Sequence, residues 1–300
     1  MNRYEEMVDI IQRKARNMTF LSKYLGVKPD TVKRYLSTIK KETGISVKES
    51  PSGMFYISPV KNKFKTFEIK GSTVFMVSDM HIPYMCQDSW ASVLSHAKEY
   101  TKPTLVLGGD TLDCERISKF HHNHPTIPLE QEINMAIVMF EDALSVFDQI
   151  YVIRGNHDER MSRSIGVSYD KMLSLAVDEF GRKIKAVDID HMFFVDTIGE
   201  RWRVCHPRKF SLIRGRLGNF IAETYHENVI VGHQHHLTYT MSHSGAFHVI
   251  DMGCLCDSAN MEYKQSTEKF PKWTKGFVIF DDKNIRLINT SSGRDIEVKR

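Results

Sequence analysis

Five short clusters of oxygen and nitrogen donors recur along the chain: Asp79-Met80-His81, Gly109-Asp110-Thr111-Leu112-Asp113, Gly155-Asn156-His157-Asp158, Cys205-His206 and Gly232-His233-Gln234-His235. Carboxylate, imidazole and amide oxygen together suit borderline or hard divalent ions such as manganese, iron or zinc. A shared carboxylate can hold two such ions about 3.5–4 Å apart. That chemistry requires the five clusters to converge.

The elements that would bring them together are legible as compact β-branched and apolar runs at 73–78, 104–107, 150–153, 202–205 and 229–231, each ending directly before a cluster. Further runs lie at 248–250 and 277–280, and helical spacing over 87–100, 129–147 and 216–227 separates several of them. Strand ends in an α/β sheet meet along one edge, so residues distant in sequence become neighbours there. The expectation is an α/β domain of layered sheets, with no internal repeat and no low-complexity tract.

In this order the clusters resemble the signature of the calcineurin-like metallophosphoesterases: D-x-H, G-D-x-x-D, G-N-H-[DE], a lone His and G-H-x-H. All five blocks are present over residues 79–235, and the resemblance extends over essentially all of 67–300. It implies a layered β-sandwich flanked by helices. It also implies one metal held by Asp79, His81, Asp110 and His235, and a second held by Asp110, Asn156, His206 and His233. Two divalent ions are implied, with Mn2+ preferred and Fe2+, Zn2+ or Ni2+ as alternatives. His157 becomes the general acid for the leaving oxygen, Asp158 the group that orients or charge-stabilises it, and Asp113 the group that fixes a ligand imidazole. The segments 252–257 and 273–277 look like metallophosphoesterases common in phage genomes. The protein phosphatases of the family resemble G-D-x-V-D-R-G at the second block; here Cys114-Glu115 follows Asp113, which argues against that activity.

Other conspicuous residues have plainer readings. His96, His191, His226, His243 and His248 are expected to be hydrogen-bonded rather than ligating. The tract Phe120-His121-His122-Asn123-His124-Pro125 reads as a polar loop before a helix rather than a second metal tract, and His236 as an exposed loop residue. Cys254 and Cys256 alternate as packed strand residues do. Arg154, Arg160 and Arg163 flank the third block, and Arg208, Lys209, Arg214 and Arg216 follow His206. Of these, Arg160, Arg208 and Arg214 are candidates to hold substrate phosphates, although a solvated helix face explains them nearly as well.

Charge divides the chain more sharply than its net +4 suggests. Residues 1–70 carry 15 Lys and Arg against 7 Asp and Glu, while the remaining 230 carry 26 against 30. A small basic unit joined to an acidic one points to a polyanion partner for the first. Its apolar positions recur at helical spacing in three runs: Met7, Ile10 and Ile11; Phe20, Leu21, Tyr24 and Leu25; Val32, Tyr35, Leu36 and Ile39. Gly26 and Pro29 punctuate the last two. This stretch resembles the helix-turn-helix of bacterial regulators, and two alternating runs about Ser50–Gly53 read as a two-stranded wing. The expected organisation is a winged helix-turn-helix DNA-binding domain at 1–60, a basic linker at 61–66 and the phosphoesterase domain at 67–300. Thr31, Lys33, Arg34, Lys40 and Lys41 are its DNA-contacting candidates.

The 300 residues, 41% hydrophobic and 26% charged, exclude a fibrous or disordered chain. No apolar run approaches the roughly 18 residues of a membrane span, and the N-terminus lacks the apolar stretch of a signal peptide, so a bacterial or phage-infected host cytoplasm is expected. Five cysteines without a C-x-x-C pair indicate neither a disulfide framework nor a thiolate zinc site. The activity expected is a two-metal phosphodiesterase, a DNA-acting nuclease in first place. Hydrolysis of small or cyclic nucleotides and a DNA-binding regulator with a metal-sensing domain are the competing readings.

Overall fold

The apolar spacing of the N-terminal residues resolves into helices α1 (Arg3–Arg13), α2 (Met18–Leu25) and α3 (Pro29–Thr43), with short strands β1 (Arg16–Asn17), β2 (Val47–Glu49) and β3 (Met54–Ile57). The computed structural model describes residues 3–43, 45, 47–57, 67–119, 125–166, 184–187, 190–261, 273–282 and 284–300. By internal contacts the chain forms two units, 1–65 and 66–300. The stretch 61–66 lies outside the described residues.

In the first unit Asn17 caps α2 by accepting from the Phe20 amide at 2.9 Å, and Gly26 ends it in the left-handed conformation at φ 63°. Met7, Ile10, Ile11, Leu21, Leu25, Val32, Ile39 and Phe55 close over one core. The second apolar run splits: Leu21 and Leu25 turn inward, whereas Phe20 and Tyr24 are exposed and stack on each other at 5.8 Å. β2 and β3 pair antiparallel about the turn, and β1 adds on the far side of β3.

The second unit runs β4 (Glu68–Lys70), β5 (Thr73–Val77), α4 (Gln87–Ala97), β6 (Thr104–Leu107), α5 (Leu129–Leu144), β7 (Gln149–Ile153), α6 (Glu159–Ile165), β8 (Ile184–Val187), β9 (His191–Val195) and β10 (Arg201–Cys205). It continues with α7 (Arg216–Tyr225), β11 (Asn228–Val231), β12 (Leu237–Met241), β13 (His248–Met252), β14 (Gly276–Asp281), β15 (Asn284–Asn289) and β16 (Ile296–Lys299). One sheet has the order β16-β15-β14-β5-β6-β7-β8 and the other β12-β13-β11-β10-β9-β4. β5 to β8 are mutually parallel, as are β10, β11 and β13.

Alternation along each strand decides what faces what. Val74, Met76, Val106 and Ile153 meet Phe194, Trp202, Val204, Ile230 and Ile250 between the sheets. Phe75, Val77, Leu105, Leu107 and Val152 face outward onto Trp90, Val93 and Phe140 of α4 and α5. On the opposite side Val229, Val231 and Val249 are covered by Leu217, Ile221 and Ala222 of α7. The result is two mixed sheets packed face to face with helices outside both. The expected helices shorten at their C-termini; α7 stops at Tyr225 because His226 takes the left-handed conformation, φ 54°. Among the described residues, no helix is long and apolar enough to cross a membrane.

Candidate metal centre

β5, β6 and β7 end side by side in one sheet and β10 and β11 in the other, and the five donor clusters occupy the loops that leave those ends. Backbone bonds continue past the ladders and fix the loops to one another. The amide of Asp79 donates to Gly109 O, that of His81 to Asp110 O and that of Gly232 to Cys205 O, all at 3.0 Å. Asp79, His81, Asp110, His233 and His235 adopt the left-handed conformation, with φ between 48° and 71°. Outside glycine this costs about 1–2 kcal/mol per residue. Glycine is needed where loops touch: a Cβ on Gly155 would lie 2.1 Å from Asp110 Oδ1, and one on Gly109, at φ 96°, 2.5 Å from His206 Nδ1.

The seven residues Asp79, His81, Asp110, Asn156, His206, His233 and His235 converge. Asp79 Oδ2 accepts from Ser78 Oγ at 2.6 Å and from the His233 amide at 2.9 Å, which leaves Oδ1 facing His235 Nε2 at 3.0 Å. Asp110 Oδ1 accepts from the His157 amide at 2.7 Å, and its Oδ2 lies 3.1 Å from His206 Nε2 and 3.9 Å from His81 Nε2. Asn156 Oδ1 stands 3.3 Å from His206 Nε2. Donor atoms of Asp79, Asp110, His206 and His233 lie within 4.8 Å of one another, as do those of Asp79, His81 and His235.

Three of the four imidazoles are held by the far nitrogen. His81 Nδ1 meets Asp113 Oδ1 at 2.8 Å, His206 Nδ1 meets Gly108 O at 2.8 Å, and His235 Nδ1 approaches Cys256 Sγ at 4.0 Å. Such contacts select the tautomer that turns Nε2 toward a cation. Asp79 Oδ1 and His81 Nε2 are buried without a hydrogen-bond partner, a costly arrangement that divalent ions would relieve. The donor set and these orphaned atoms therefore fit metal binding.

The electrostatics agree. Burial pushes the Asp79 carboxyl up, but the His235 and His206 imidazoles hold it well below the usual carboxylate range. Asp110 is likewise depressed by His206 and His157 against its burial. Burial presses the His206 imidazole down, yet Asp110 and Asp79 raise it to about 10, whereas burial and the neighbouring His206 lower His233 to about 4.

His157 stands beside this cluster, its ring 4.5 Å from that of His81. Its Nδ1 lies 2.9 Å from Asp113 O and 3.0 Å from Asp113 Oδ1. Burial lowers its basicity, but Asp110 and Asp113 outweigh this and raise it. The carboxylate that meets the His157 ring is Asp113 rather than Asp158. The buried Asp158 carboxylate instead accepts from the amides of Gly155 (2.8 Å) and Leu112 (3.2 Å), tying two donor loops together, and burial beside Asp110 raises it to about 6. Arg160 Nη1 donates to Asp113 O at 2.9 Å, and its Nη2 stands 3.2 Å from His157 Nε2. Arg208 pairs with Glu159, and Arg214 donates to Thr274 Oγ1 at 3.0 Å.

The remaining expectations divide. His96 Nδ1 contacts Ser92 O and His191 pairs with Asp190, His248 packs against Trp202 and Tyr239, and His226 and His243 are exposed. His236 is buried rather than exposed, because its strand start packs it 4.0 Å from Asp251. The tract 120–124 lies outside the described residues. In the first unit Thr31 is half-buried and Lys33 and Arg34 are exposed; the side chains of Lys40 and Lys41 lie outside the described residues. Sequence reasoning missed Ser78, Gln234, Cys256 and Trp273, whose ring centroid lies 4.0 Å from that of His235. The Cys254/Cys256 alternation indicated a shared face but not that His235 lies against it.

A family model described as calcineurin-like phosphoesterase matches residues 72–252. Among solved structures, a single mutant of Vps29 from Entamoeba histolytica is similar at 11% identity, covering 76% of this chain and 99% of that one, with a TM-score of 0.42. Vps29 from Chaetomium thermophilum is similar at 8% identity, covering 77% and 97%, with a TM-score of 0.44. Protein TM1076 from Thermotoga maritima is similar at 12% identity, covering 77% and 99%, with a TM-score of 0.33. No curated protein gives a significant match.

Proposed function

The chain belongs to the calcineurin-like phosphoesterases, a metal-dependent class of phosphoester hydrolases, and on that premise we propose that it is a two-metal phosphodiesterase that cuts DNA. Asp79, His81, Asp110 and His235 would hold one ion and Asp110, Asn156, His206 and His233 the other, with Mn2+ the preferred metal. When bound, such ions supply the positive charge that polarises phosphoryl oxygens and acidifies water. The observation that carries the reading is the pair of buried atoms without a hydrogen bond, Asp79 Oδ1 and His81 Nε2, inside a cluster of further donors.

The chain's own groups supply the rest. The Ser78 hydroxyl and His233 amide commit one Asp79 oxygen, so only the other is available at the centre. Asp113 holds His157 by Nδ1, which leaves Nε2, faced by Arg160, as the atom that would give a proton to the leaving oxygen. Arg160, anchored on Asp113 O, stands where a phosphate oxygen approaching His157 would meet a guanidinium.

Nucleic acid is preferred as substrate because of the first unit. Three helices with a short turn, a capped α2, a small antiparallel sheet and the basic excess of residues 1–70 support a winged helix-turn-helix that holds DNA. Tethering raises the local concentration of phosphodiester at the second unit.

The deciding experiment incubates purified protein and Mn2+ with labelled DNA, RNA, mono- and cyclic nucleotides and phosphopeptides. Asp110→Asn is assayed beside it on bis-p-nitrophenyl phosphate, with and without chelator. Cleavage of DNA that chelator and Asp110→Asn both abolish is expected. Full turnover by Asp110→Asn with unchanged metal content removes the two-metal reading, and turnover confined to cyclic nucleotides removes DNA as substrate.

A further inference from the structure

Residues 207–215 join β10 to α7 without regular structure, yet the loop is fastened to the metal centre. Gln234, buried between His233 and His235 in sequence, accepts from the Ser211 amide at 2.8 Å and donates to Lys209 O at 3.0 Å. Arg214 adds its bond to Thr274, and the amide of Gly215 donates to Asp251 at 2.9 Å.

What the fastened loop displays is apolar. Phe210, Leu212 and Ile213 are 51%, 56% and 58% exposed, and Phe220, on the outer face of α7, is 59% exposed. Three exposed apolar side chains within four residues, with a fourth on α7 facing Lys209, mark a place where something binds. Arg208, Lys209, Arg214 and Arg216 interleave with these side chains, and the Lys209 ammonium lies 5.6 Å from the Phe220 ring. Arg208 is paired with Glu159, which also meets Arg163. The Phe210 ring stands edge-on to the ligand imidazole of His233, with centroids 6.2 Å apart. Aromatic faces alternating with cations complement a polymer that alternates flat apolar bases with anionic phosphates.

We propose that this loop and the start of α7 form a stacking platform that seats single-stranded nucleic acid across the metal centre, with Phe210 beneath the base adjacent to the scissile phosphate. The inference rests on the phosphodiesterase reading above and narrows its substrate to unpaired strands, since a base within a duplex has both faces covered. Gln234 sets the distance between platform and metal ligands.

The test uses the full chain with Mn2+, a labelled hexathymidylate and bis-p-nitrophenyl phosphate, comparing wild type with Phe210→Ala, Phe210→Leu and Phe210→Trp. The ratio of kcat/KM for hexathymidylate to that for the chromogenic diester should fall about tenfold or more in the Ala and Leu variants and recover in the Trp variant. An unchanged ratio in Phe210→Ala, or full recovery with Leu, overturns the platform. So does sedimentation of the wild type, but not Leu212→Ser/Ile213→Ser, with phosphatidylglycerol vesicles, which would make the surface a lipid face. If the wild type cleaves the chromogenic diester and no oligonucleotide, the DNA reading itself falls, a result distinct from the unchanged ratio.

Discussion

One oxygen of Asp113 meets two imidazoles, His81 at 2.8 Å and His157 at 3.0 Å, so the metal retention and proton supply proposed for them would share a support. His157 itself can be separated from the metals. His157→Ala should keep its metal content, measured by inductively coupled plasma mass spectrometry, yet lose roughly 10²-fold or more in rate on a poor leaving group such as an alkoxide. The loss should shrink with p-nitrophenolate, and an equal loss on both substrates would assign His157 to structure. A second residue-scale prediction concerns His206. Its imidazole is raised from 6.5 to about 10 in the folded, metal-free protein. Its stabilising contribution is therefore complete below about pH 6.5 and is lost as pH rises through about 10, whereas those of the depressed Asp79 and Asp110 persist above 3.8 and vanish only in acid. The melting temperature of chelator-treated protein should accordingly decline from pH 6.5 to 10; a flat profile contradicts the His206–Asp110 pairing.

The strands that end at the centre were legible because they are short, β-branched and buried on both faces, as at Val74–Val77 and Val229–Val231. Those that were missed sit toward the sheet margins, where the pattern thins. β12 reads Leu-Thr-Tyr-Thr-Met and is only half-buried, and β16 is almost wholly exposed, so neither carries an apolar run. β15 sets Ile285 and Leu287 against Asn284 and Arg286 and was recoverable from period two. Which clusters converge was likewise readable from residue type and order, whereas partners such as Gly108 O, Cys256 and the Asp158 amide bonds depend on which loops touch, which no local pattern encodes. The loop contact at Gly155 is open to test. Gly155→Ala puts a methyl within 2.1 Å of Asp110 Oδ1 and should cost about 1–3 kcal/mol through displacement of that loop, read by urea denaturation, with metal content reduced in parallel. Wild-type stability and metal content in that variant would mean that the loops do not meet as described.

Each of the two units buries its own apolar cluster, and the basic excess lies in the first. Removing residues 1–66 should therefore leave hydrolysis of a small chromogenic diester nearly intact while duplex binding, followed by fluorescence anisotropy at two salt concentrations, drops sharply. The full chain's binding should weaken steeply with salt as counterions return to the phosphates. A truncated protein that binds duplex as well as the full chain would turn the first unit into a docking or dimerisation module. The left-handed backbone at Asp79, His81, Asp110, His233 and His235 bears on the molecule as a whole in another way. Glycine is the residue that conformation favours, so at the positions proposed to hold the metals backbone comfort and chemistry pull apart. Each exchange to glycine there would ease the main chain and in the same stroke discard a donor.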